Sequence, residues 1–123
     1  MRRSNSLFLA MAMVLALTDQ AFALSASFRW CGGSPEFQLG DVPKGTVKLD
    51  LRMMDLMAMG YRHGGGVVAY TGQKTIACGA LNGGYRGPSP PKPQIHVYRW
   101  TIKAIDASGK VLAEATSERK FPE

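Results

Sequence analysis

The chain has 123 residues, a formal charge of +6, 46% hydrophobic against 20% charged residues, and two cysteines. That length points to one domain, and the apolar share is too high for a disordered chain. Two cysteines cannot make a disulfide-dense scaffold or an array of structural zinc sites, each of which needs about four nitrogen or sulfur ligands.

The N-terminus reads as a secretory leader. Arg2 and Arg3 precede an apolar run over residues 7–17, and Ala21-Phe22-Ala23 supplies small residues at a cleavage point. The run is about half the roughly 20 residues that a membrane helix needs. Cleavage after Ala23 is therefore expected, leaving residues 24–123 as an exported domain, periplasmic or secreted. With two arginines and Asp19 removed, its formal charge falls from +6 to +5. No later segment is expected to cross a bilayer. Export favours a disulfide between Cys31 and Cys78 over two thiols packed as small core residues.

Beyond the leader the pattern is one of strands. Ser27-Phe28-Arg29-Trp30 is a possible opening strand. After the turn Asp41-Val42-Pro43-Lys44-Gly45, the residues Val47, Leu49, Leu51 and Met53 alternate with Lys48, Asp50 and Arg52, so one face of a strand is buried. Residues 66–71 and 75–78 make two shorter candidates. A longer one covers residues 96–105, with His96, Tyr98, Trp100, Ile102 and Ala104 on one face. The turn Asp106-Ala107-Ser108-Gly109-Lys110 then leads into a return strand over residues 111–116. Residues 114–120 are also compatible with a short helix. No longer stretch holds a 3.6-residue apolar period, so the predicted fold is all-β, mainly an antiparallel β-sandwich with at most short helices.

Three places along this pattern carry chemistry. Asp55 falls at the next same-face position after Met53, and a carboxylate ending an apolar face needs a partner or the sheet rim. His63 precedes Gly64-Gly65-Gly66, where backbone N–H groups without a Cβ beside them can approach a ligand. Gly87-Pro88-Ser89-Pro90-Pro91 is a stiff loop leading to His96 and Tyr98. One carboxylate, two imidazoles and a phenol walled by glycine and proline suit a phosphate-like anion, with imidazole, phenol and amide groups donating. The groups so placed are Asp55, His63, His96 and Tyr98, with the loop over residues 87–91 as a wall. His96 and Tyr98 are expected to donate to the anion while Asp55 orients a histidine.

These segments resemble the phosphatidylethanolamine-binding protein family, which includes the Raf kinase inhibitor protein and exported bacterial relatives. Ser34-Pro35-Glu36-Phe37 followed by Val42-Pro43-Lys44-Gly45-Thr46 is similar to the family's opening motif. Asp55-Leu56-Met57-Ala58-Met59 occupies the place of its D-P-D-A-P signature, and Gly87-Pro88-Ser89-Pro90-Pro91 with His96-Val97-Tyr98 resembles its G-P-x-P-P…H-x-Y segment. The resemblance implies a β-sandwich whose small pocket takes anions and phospholipid-type headgroups, with Asp55, His63, Gly87, Pro88, His96 and Tyr98 as its predicted ligand-binding residues by position and inhibition of a protein partner as a role of some members. Three departures are visible. Met57 and Met59 replace an acid and a proline, the three glycines after His63 replace bulkier residues and should open the pocket wall, and no counterpart is expected for the C-terminal helix that gates larger members.

The function expected is non-catalytic binding of a small anionic or phosphorylated ligand, with no cofactor. The first alternative is Cu(I) or other metal binding by Met57, Met59 and His63, since thioethers select Cu(I). A second is a small hydrolase using Ser89 with His and Asp, although Ser89 between prolines does not form a G-x-S-x-G elbow. Scattered basic residues, with no basic helix or aromatic stacking platform, argue against nucleic acid.

Overall fold

The computed structural model describes residues 23–81 and 83–123, so the expected leader lies, but for its last residue, outside the described residues. Seven strands follow one another: β1 (Ser25–Cys31), β2 (Ser34–Gly40), β3 (Thr46–Asp55), β4 (Gly65–Ala69), β5 (Thr75–Ile76), β6 (His96–Asp106) and β7 (Val111–Phe121). They form two antiparallel sheets, ordered β1-β2-β5 and β4-β3-β6-β7. The all-β expectation holds, and among the described residues no helix is long and apolar enough to cross a membrane.

The alternating segments become the two central strands. Leu49, Leu51 and Met53 of β3 and Tyr98, Trp100, Ile102 and Ala104 of β6 are buried, and Phe28 of β1 and Phe37 of β2 close over them. Phe37 meets Trp100 edge to face at 5.2 Å between ring centres, and Phe28 stands 5.8 Å from Phe37. Burial of this kind contributes about 1.5–3 kcal/mol for each large apolar side chain.

Three local readings are corrected. Val47 is 43% exposed instead of buried, because a bulge between Thr46 and Lys48 shifts the register and turns Thr46 inward in its place. Residues 114–120 are not helical but belong to β7, which pairs with β6 over its whole length, so a ready sheet edge outweighs local preference. Residues 34–40, which the alternation pattern does not mark as a strand, form β2 with Pro35 and Phe37 facing inward.

Cys31 and Cys78 are joined by a disulfide, with Cα atoms 6.3 Å apart. Bridges of this kind belong to oxidising compartments. The bond ties the end of β1 to the chain after β5. Beside it, the β1–β2 turn receives a hydrogen bond from Tyr85, whose hydroxyl donates to the Gly33 carbonyl at 2.7 Å. The loop that leads to β6 is thereby docked onto the smaller sheet.

Candidate functional site

The register of β3 on β6 creates the site. Asp55 pairs opposite Tyr98, and His96, the first residue of β6, lies two residues before Tyr98 on the same buried face. The backbone alternation that buries Leu51 and Trp100 therefore also buries a carboxylate, a phenol and an imidazole at the end of the sheet. His63 arrives from the β3–β4 connection, which folds back where the Met53 amide donates to the Gly64 carbonyl at 2.9 Å. Asp55, His63, His96 and Tyr98 line one cavity of about 230 Å³, completed by Ala58, Tyr61, Ser89, Pro90 and Pro91.

Asp55 is satisfied at both oxygens. Oδ1 accepts from the Met57 amide at 2.9 Å, and Oδ2 lies 2.6 Å from His96 Nδ1. Burial works against its charge, but the bonds from His96 and Met57 outweigh it and hold the carboxyl below its usual range. Asp55 therefore fixes His96 in a ring orientation with Nδ1–H donating to the carboxylate. On the other side of the ring, Nε2 lies 2.7 Å from Gln94 Oε1. Both nitrogens of His96 are engaged within the protein.

His63 is held differently. Its Nδ1–H donates to the Arg86 carbonyl at 2.7 Å, while the Arg86 amide donates to the His63 carbonyl at 2.8 Å. This double link pins the proline loop to the β3–β4 connection. It leaves Nε2 without a hydrogen-bond partner among the described residues. The His63 ring stands edge-on to Tyr98 at 5.5 Å and tilts against Tyr61 at 4.5 Å.

Tyr98 is fully buried, yet its hydroxyl makes no hydrogen bond of acceptable geometry to any described residue. The Asp55 carboxylate and the Ser89 backbone are near enough to influence its ionisation without meeting that geometry. Burial, and then the Asp55 charge, push the phenol up to about 12, so it stays protonated and remains a donor. A buried hydroxyl without a partner costs about 1–3 kcal/mol, which makes it the clearest unmet demand in the cavity.

The predicted site residues divide. Asp55, His63, His96 and Tyr98 converge, whereas Gly87 and Pro88 do not line this cavity. Gly87 lies against the Gly33 carbonyl, and Pro88 faces a neighbouring groove. The glycines after His63 also serve a different purpose from the one expected. A Cβ on Gly64 would collide with the Gly84 carbonyl and one on Gly65 with the Leu51 carbonyl, so their smallness answers to backbone packing, and none of the three lines the cavity. Sequence reading missed Tyr61 and Gln94 as site members. Each stands two residues before a recognised histidine, the spacing that keeps residues on one side of an extended chain.

Met57 and Met59 are 60% and 65% exposed. No lysine or arginine lines the cavity among the described residues, so any positive charge there must come from imidazolium. No family model matches the chain, and no curated protein or solved structure matches it either.

Proposed function

We propose that this cavity binds a small anionic or phosphorylated ligand, of the size of a phospholipid headgroup, without chemical turnover. The observation that carries the reading is the buried, unpartnered Tyr98 hydroxyl and the open Nε2 of His63, on two rings 5.5 Å apart in the lining of one cavity. A ligand oxygen between them would accept from the phenol and, with His63 protonated, from imidazolium, and charge-assisted bonds of that kind are the strong ones. Asp55 serves here as a positioning residue whose charge is met by His96. His96 is a wall of the site whose own nitrogens are already engaged. The net positive charge of the chain raises the local concentration of anions.

The motifs shared with phosphatidylethanolamine-binding proteins favour the same ligand class, and membership of that family, with an exported location and a protein partner to be modulated, forms part of the proposal. Cys31–Cys78 agrees with export. The hydrolase alternative has one supporting fact, that Ser89 lines the same cavity as the Asp55–His96 pair. Against it, His96 Nε2 is bonded to Gln94, and among the described residues no hydrogen bond joins Ser89 to an imidazole. Copper binding draws no support from Met57 and Met59, which are exposed and do not line the cavity that holds His63.

Calorimetric titration of inorganic phosphate and phosphoethanolamine tests the assignment. Binding is expected in the wild type and about tenfold weaker in Tyr98→Phe, the loss of one hydrogen bond to a charged acceptor. Equal affinities in the two proteins would refute the role of Tyr98, and no heat in the wild type would refute the anion site.

A further inference from the structure

Gln94 sits at the junction of two spaces. Its Oε1 lies 2.7 Å from Nε2 of the buried His96, at the edge of the proposed anion cavity. The same residue also lines a second, apolar groove of about 550 Å³, together with Lys92, Pro93, Phe121 and Pro122; Ser89 and Pro90 are common to both. His96 Nδ1 is committed to Asp55, so Nε2 is the one ring position that could be offered to a ligand, and Gln94 occupies it.

A glutamine amide suits this place. Its oxygen accepts from a protonated ring, and the amide turned over donates an N–H to a neutral one, so the contact survives either state of His96. Its oxygen carries no charge, so a protonated ring bonds it more weakly than it would an anionic oxygen. The side chain is exposed and the groove beside it is large enough to receive it, but prolines contribute no backbone N–H to hold it there.

We infer that Gln94 is a displaceable plug, an internal competitor that covers His96 Nε2 until an anionic ligand oxygen takes its place. The inference rests on the reading of the cavity as an anion site. It makes Gln94 a specificity-determining residue, because a neutral oxygen ligand gains nothing over the amide already present, whereas an anionic one does.

Phosphate titration of the wild type, Gln94→Ala and Gln94→Glu, with the nitrogen resonances of His96 followed by NMR, tests it. Phosphate is expected to bind Gln94→Ala about fivefold tighter, the worth of one neutral hydrogen bond no longer competing. Gln94→Glu is expected to bind more weakly, since a carboxylate there both holds the ring and repels the anion. Acetamide, the chemical end of the glutamine side chain, should compete with phosphate in Gln94→Ala and not in the wild type. The His96 Nε2 resonance should shift on removal of Gln94 and, in the wild type, on addition of phosphate. Equal phosphate affinity in the wild type and Gln94→Ala overturns the plug alone, and weaker binding in Gln94→Ala overturns it by making Gln94 a ligand contact. Silence toward phosphate in every protein overturns the anion site and the plug with it.

Discussion

At the scale of single residues, the candidate site contains one satisfied charge and one unsatisfied donor, and the two should respond oppositely to mutation. Asp55 accepts from Met57 and His96, so Asp55→Asn is expected to cost about 1.5–3 kcal/mol in a urea titration. Because its folded carboxyl ionises below the unfolded value, its contribution is complete at neutral pH and disappears as pH falls through the folded value. Asp106, which accepts from Ser108 and Lys110 in the β6–β7 turn, is lowered in the same direction, so the variant should flatten the acid side of the stability profile only in part. Tyr98→Phe deletes a hydroxyl that no described residue satisfies, and it is expected to keep or raise stability by about 1 kcal/mol while weakening ligand binding. Its phenol is raised by burial to about 12, so the stability it holds is complete below the unfolded value near 10 and is lost as pH climbs beyond it. The variant should therefore lose less stability in alkali, with Tyr85, also raised by burial, accounting for what remains.

At the scale of elements, alternation was a reliable guide in the middle of strands and failed at their ends. Leu49, Leu51 and Met53 are inside as their spacing demands, while Val47, one step earlier in the same pattern, is outside because of the bulge. Leu49→Ala is accordingly expected to cost about 2–5 kcal/mol, and Val47→Thr no more than about 0.5 kcal/mol, both read from urea midpoints. The β3–β4 connection gives a second contrast. Gly65→Ala would drive a methyl group into the Leu51 carbonyl, breaking the pairing that delivers His63, and is expected to lower the melting temperature well beyond the effect of Leu49→Ala. A milder effect of Gly65→Ala than of Leu49→Ala would count against that close backbone approach. The glycine run was legible as a special segment, but composition alone could not separate contact with a ligand from contact with a neighbouring strand.

For the whole molecule, β7 bonds one sheet to the other, while the disulfide closes the smaller sheet from β1 to the chain after β5. Trp30 Nε1 donates to the Lys120 carbonyl at 2.9 Å and Arg119 Nη1 to the Phe28 carbonyl at 3.1 Å, so the last strand of one sheet is bonded to the first strand of the other. Cys31–Cys78 closes a separation of 47 residues, and in the chain-entropy model removing it costs about 4 kcal/mol. Cys31→Ser with Cys78→Ser should show that loss in thermal denaturation. It should also weaken phosphate binding, because the bridged turn is where Tyr85 anchors the loop carrying Ser89, Pro90 and Pro91. Unchanged affinity in a folded double variant would show that the loop holds its shape without the bridge.

Periodicity and residue type, read along the chain, determined the all-β class, the two central strands and four of the groups that line the cavity, since burial on one face of a strand leaves a mark at every second position. Tertiary structure alone decided which of those groups are spent and which are available. Asp55 and His96 satisfy each other, Gln94 covers the remaining nitrogen, and Gly87 turns toward Gly33, while Tyr98 and one nitrogen of His63 are left to act. Hydrogen bonds are short and directional, and their partners here lie up to 41 residues apart in sequence, so only the register of β3 on β6 and the docking of the loops could set them.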